Sequence, residues 1–104
     1  MVVWAEKLYI GEQAEKNLKK LQKKLEAGKP VPGVFLIMKP SNENNLFDIL
    51  PATELFFPYY REKELLVYGL AKGKEEAEGL LLSMLEDVCR ETGGLNCKEY
   101  FESE

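Results

Sequence analysis

The residues best equipped for chemistry in this sequence fall between positions 54 and 61. Glu54 offers a carboxylate, Tyr59 and Tyr60 two phenols and Arg61 a guanidinium, beside Phe56 and Phe57 in the stretch LFFPYYR. General acid-base work by such a set requires pKa values tuned by burial or neighbouring charge. The same residue types also suit a recognition surface, because aromatic rings and arginine are enriched at the centres of protein interfaces. Elsewhere the chemistry is thin. The chain contains no histidine, which removes every mechanism built on an imidazole base, Ser-His-Asp and Cys-His constellations included.

Cys89 and Cys97 form no CxxC pair and have no histidine to help them hold zinc, so neither a metal site nor a disulfide framework is indicated. Both are expected to be free thiols, Cys89 as packing in a helix and Cys97 more exposed, with Lys98 its one positive neighbour. The loop GLAKGK at 69–74 has three residues between its glycines, where a phosphate loop has four, and Glu75 stands where a serine or threonine is needed. A structural strand-to-helix turn is the better reading. The acidic residues Glu75, Glu76 and Glu78, with Glu86 and Asp87, suit a solvated helix face whose first turn favours negative charge. Asp48 interrupts the apolar LFDIL, as expected of an edge strand with one wet face. No metal and no cofactor is expected.

The elements that must position these residues follow from the hydrophobic pattern. VVWAEKLYI at 2–10 is rich in β-branched and aromatic residues and ends at Gly11, a strand entering a turn. Ala14, Leu18, Leu21 and Leu25 form one stripe of a lysine-rich helix over 12–27, stopped by Gly28 and Pro30. GVFLIMK at 33–39 reads as a strand buried on both faces, and LFDIL at 46–50 as its hairpin partner. LLVYGLA at 65–71 is a further strand, followed by a helix over 74–92 closed by Gly93 and Gly94. NCKEYF at 96–101 is expected to add a last edge strand.

The order βαβββαβ within 104 residues predicts a single α+β domain. Right-handed crossovers from the two strand-glycine-helix units would place both helices on one face of a mixed sheet of four to five strands. That layout resembles a ferredoxin-like two-layer sandwich. With both helices on one side, the aromatic segment must bend at Pro58 to cover the other, or a second copy of the chain must do so. A third possibility makes the segment the wall of a small-ligand pocket, which requires a cavity of about 300 Å³ or more beside Tyr59, Tyr60 and Arg61.

Charge bounds the partners. Residues 1–40 carry eight lysines against four glutamates, whereas 41–104 carry six basic against fourteen acidic residues. Oppositely charged halves attract, within one molecule or between two. The overall charge of -4 and the scattered glutamates argue against nucleic acid. No apolar run approaches the roughly 20 residues of a membrane span, and MVVWAEKLYIGE lacks the plan of a secretion signal, so a cytoplasmic location is expected. The sequence thus favours a small, non-enzymatic interaction or assembly module that self-associates as a homodimer or meets a protein partner. Its candidate binding residues are Glu54, Phe56, Phe57, Tyr59, Tyr60 and Arg61. A ligand-binding or catalytic protein using the same segment is the alternative.

Overall fold

The computed structural model describes residues 1–42 and 44–102, apart from the side chain of Phe56. Four strands, β1 (Val2–Ile10), β2 (Val34–Met38), β3 (Asp48–Pro51) and β4 (Leu65–Lys72), form one mixed sheet in the order β1-β4-β2-β3. β1 runs parallel to β4, while β2 runs antiparallel to both β4 and β3. Among the described residues, no helix is long and apolar enough to cross a membrane.

The stripe predicted over 12–27 is present but broken. Glu12–Glu15 forms α1 and Leu18–Glu26 forms α2, with Asn17 between them at φ -132° and ψ 34°, outside the helical well. Asparagine competes with helical hydrogen bonding and favours such junctions. α2 lays Leu21 and Leu25 into the core and is tied to β1 by the Trp4 indole Nε1, which donates to Glu26 Oε2 at 2.6 Å. After β3, a 3-10 turn (Ala52–Phe56) leads to the single-turn α3 (Pro58–Arg61). The long α4 (Lys74–Thr92) ends at Gly93, whose φ of 77° is a left-handed cap that a side chain would oppose. Its N–H donates to the Cys89 carbonyl at 2.9 Å.

Two expectations are corrected. The segment expected as a last strand is a helix, α5 (Cys97–Glu102), which buries Cys97 and Phe101 at the i, i+4 spacing of one helical face. The helices also do not share one side of the sheet. Leu36, Met38, Leu65, Val67 and Leu70 face Ala14, Leu21 and Leu25, whereas Ile37 and Tyr68 face Met84, Val88, Cys97 and Phe101. α1 and α2 therefore dry one face and α4 and α5 the other, which departs from the ferredoxin-like, two-layer layout. The physical reason lies in the connection after α4. The chain passes into α5 and not back to a parallel strand, so the handedness rule for crossovers places no constraint on α4.

Side chains on β4 do not alternate evenly. Ile37 pairs with Gly69, yet the next residue, Met38, pairs with Val67, leaving Tyr68 as an extra residue on β4. β1 bows out at the same level, since Trp4 pairs with Val67 but Tyr9 with Gly69. Such bulges re-aim side chains. Here Tyr68 joins the α4/α5 face, while Val67 before it and Leu70 after it both join the α1/α2 face.

Candidate functional site

The segment singled out by sequence divides between core and surface. Leu55 is buried and Tyr60 packs, half-buried, on the α1/α2 core, but Phe57 is 56% and Tyr59 59% exposed. A backbone bond from the Phe57 N–H to the Glu54 carbonyl at 3.0 Å and the proline at the start of α3 fix this geometry. The Tyr59 and Tyr60 rings meet edge-on at 4.9 Å, and Lys63 Nζ sits 3.7 Å from the centre of the Tyr59 ring. Arg61 is exposed and forms no ion pair among the described residues, Glu54 included. The Phe56 side chain lies outside the described residues. Neither of the two clefts described below is lined by any described side chain of 54–61. The described side chains of the segment thus divide between the α1/α2 core and the surface, apart from either cleft.

The GLAKGK loop lines a shallow cleft that also includes Gln13, Glu75, Glu76 and Glu78. Its anion position is filled from within. The Glu76 carboxylate accepts backbone N–H groups from Gln13 at 2.5 Å, Lys72 at 2.6 Å and Ala14 at 3.3 Å, joining α4 to the start of α1 and the end of β4. Desolvation acts to raise its pKa, but the three amide donors and the Lys16 charge outweigh it and hold the carboxyl below its ordinary value. Gly11 is needed beside it: a Cβ there would run into the Glu76 carboxylate. This acidic residue is a structural clasp, and of GLAKGK the first four residues belong to β4, Gly73 makes the strand-to-helix junction and Lys74 begins α4.

The densest polar chemistry surrounds α5, which sequence reasoning missed. Phe101 stacks on Tyr68 at 4.1 Å between ring centres and meets Tyr9, Phe47 and Tyr100 edge-on. At the rim the Tyr9 hydroxyl donates to Asp87 Oδ2 at 2.6 Å and shares a 2.7 Å hydrogen bond with the Tyr100 hydroxyl. Burial first, and then Asp87 and Tyr100, push the Tyr9 pKa far above the usual phenol value. Hydrogen bonds from Tyr9 and then Arg90 hold Asp87 low. A second polar group lies opposite. Glu102 Oε1 pairs with Lys39 Nζ at 2.9 Å, and Glu102 Oε2 accepts the Tyr68 hydroxyl at 3.3 Å. Burial, followed by the Glu102 charge, raises the Tyr68 pKa, so the phenol stays neutral and donating.

Between α5 and the turn that joins β2 to β3 runs a larger cleft of about 940 Å³, with Tyr68 and Cys97 among its lining residues. Comparison with protein-family models, curated proteins and solved structures finds no match to this chain. Cys97 is buried, contrary to the expectation of exposure, and Cys89 is exposed. Burial, with the neighbouring Cys89, raises the Cys97 pKa, the opposite of what a reactive thiolate requires. Among the described residues no group of three or more His, Cys, Asp or Glu is arranged to hold a metal ion. The turn wall is braced by Asp48, whose Oδ2 accepts both the Ser41 N–H at 2.9 Å and the Ser41 hydroxyl at 3.1 Å. That is the role of the acidic residue within LFDIL. The missed signal was the Cys97 to Phe101 spacing, which reads as one helical face.

Proposed function

We propose that this protein is a small interaction module that pairs with a second copy of itself through the β3 edge and the aromatic turn after it. The observation that carries this reading is the grouping of exposed apolar side chains along one short stretch of chain. Ile49, Phe57 and Tyr59, three of the seven large hydrophobic side chains exposed among the described residues, fall within eleven residues. β3 lies at the sheet's edge with β2 as its one neighbour. It is short, begins with Asp48 and ends with Pro51, features that blunt backbone pairing by edge strands. Side-chain packing by the two rings and Ile49, not sheet extension, is then the mode of contact, with Arg61 at its rim.

Charge supports a second copy as the occupant. α2 carries four lysines and one glutamate, while α4, on the opposite face of the sheet, carries six acidic and two basic residues. A twofold axis running along the apposed edges sets the basic face of one copy beside the acidic face of the other, which helps fix register. Such a module performs no chemistry of its own at this surface.

The test is light scattering at high micromolar concentration, with Phe57→Ser/Tyr59→Ser as the variant. The native chain is expected at twice its monomer mass. If the rings are central anchors worth about 2 kcal/mol, the double substitution weakens pairing by about 30-fold or more. It is expected to leave the far-ultraviolet circular dichroism unchanged, because both side chains are exposed. A native chain that stays monomeric at that concentration sinks the proposal.

A further inference from the structure

We propose that the cleft between α5 and the β2–β3 turn binds a small zwitterion with an apolar side chain, that is, a free hydrophobic amino acid. This site is separate from the pairing surface, since none of Ile49, Phe57 and Tyr59 lines it. Its volume of about 940 Å³ lies in the range of clefts that hold small molecules.

The chemical class follows from the described lining residues. Lys39 and Lys98 supply two ammonium groups, and Glu99 and Glu102 two carboxylates. A simple anion entering the cleft meets two carboxylates, and a simple cation meets two ammonium groups. A molecule bearing both charges finds an opposite partner for each. Leu46 and Leu95 line the same cleft from its two sides, one after the β2–β3 turn and one before α5, and both are exposed in the free protein. An apolar side chain seated between them removes that surface from water.

The charged groups retain capacity. Lys39 donates one of its three N–H groups to Glu102, and its side chain is 43% exposed. Lys98 is exposed and forms no ion pair among the described residues. The walls are also held before any ligand arrives. Asp48 braces the turn through Ser41. The stack of Phe101 on Tyr68 and the Tyr100–Tyr9 hydroxyl bond hold α5. A cleft whose walls need no ordering loses less free energy on binding.

The experiment is a titration of the isotope-labelled full chain with L-leucine, followed by backbone amide resonances. Two single-charge probes of similar shape, 4-methylpentanoate and 3-methylbutylamine, serve as comparisons. L-leucine is expected to shift the amides of Leu46, Leu95 and Asn96 saturably. Each single-charge probe, lacking one charge-assisted contact, is expected to bind about tenfold more weakly or worse. Lys98→Gln should weaken L-leucine binding by a similar factor. Lys39→Met should do so as well, and Lys98→Gln keeps the test decisive if loss of the Lys39–Glu102 pair disturbs folding. No saturable shift at millimolar L-leucine, an equal response to either single-charge probe, or unchanged affinity in Lys98→Gln would each overturn the proposal.

Discussion

Replacing Glu76 by glutamine changes almost no volume, yet it should destabilise the whole domain. The carboxylate presents two acceptor oxygens to three backbone N–H groups, those of Gln13, Lys72 and Ala14. A carboxamide presents one oxygen and an NH2, so at least one amide donor is left facing another donor. The two short contacts, at 2.5 and 2.6 Å, are charge-assisted bonds worth about 1.5 kcal/mol each at the lower end of their range. Partial exposure screens the charge and reduces the sum to about 2 kcal/mol. For a domain of this size that lowers the melting temperature by about 10 °C.

Urea and thermal unfolding of native chain and Glu76→Gln at neutral pH give the first measurement. The pH dependence gives the second. The folded pKa of Glu76 lies below its unfolded value of 4.5, so its contribution is complete above that value and is lost as pH falls through the folded one. The gap between native chain and variant should therefore be constant near neutrality and close in acid. Gly11→Ala should reproduce much of the loss, because its methyl group displaces the carboxylate. A gap below about 0.5 kcal/mol at neutral pH, within the ordinary range of surface substitutions, or one that persists unchanged in acid, would refute the reasoning.

Two further outcomes test the face of the sheet covered by α4 and α5. Phe101→Ala removes the ring on which Tyr68 stacks and should cost about 3 kcal/mol in urea unfolding; a loss under about 1 kcal/mol would mean that α5 contributes little packing. Gly69→Val should cost about 2 kcal/mol, because even its Cβ would approach Met84 Sδ to 3.1 Å and Ile37 Cβ to 3.3 Å. An unchanged unfolding midpoint there would show that α4 has room to move away from β4.

How much of this was legible in the sequence depended on the length and periodicity of each segment. The runs at 2–10, 65–71 and 74–92 were long and clearly patterned, and β1, β4 and α4 occupy them to within a residue. β2 and β3 were legible from short apolar runs set between turn residues, but a fifth strand was expected where α5 lies. What could not be read was the side of the sheet on which α4 lies. β4 is apolar in both directions, so either face offers a seat, and the choice rests on contacts from Ile37 and Tyr68 that are distant in sequence. NCKEYF misled because six residues carry too few turns for a helical period to stand out, and its Tyr100–Phe101 end suits a strand as well as a helix until Cys97 and Phe101 are buried together. The aromatic segment was legible as a surface of interest, but its division into a buried Leu55 and an exposed Tyr59 was not. Composition contains no such direction. The clasp at Glu76 was equally invisible, since two of its three partners, Gln13 and Ala14, lie more than sixty residues away along the chain.

The extra residue at Tyr68 has a bearing on how this chain tolerates insertion and deletion. Upstream of it odd-numbered side chains meet the α2 layer, and downstream even-numbered ones do, as Val67 and Leu70 show. Shortening β4 by one residue there would leave its hydrophobicity almost untouched while exchanging the destinations of the side chains that follow. Chain length between Val67 and Leu70, more than the identity of the residues in it, sets the phase in which β4 hands over to α4.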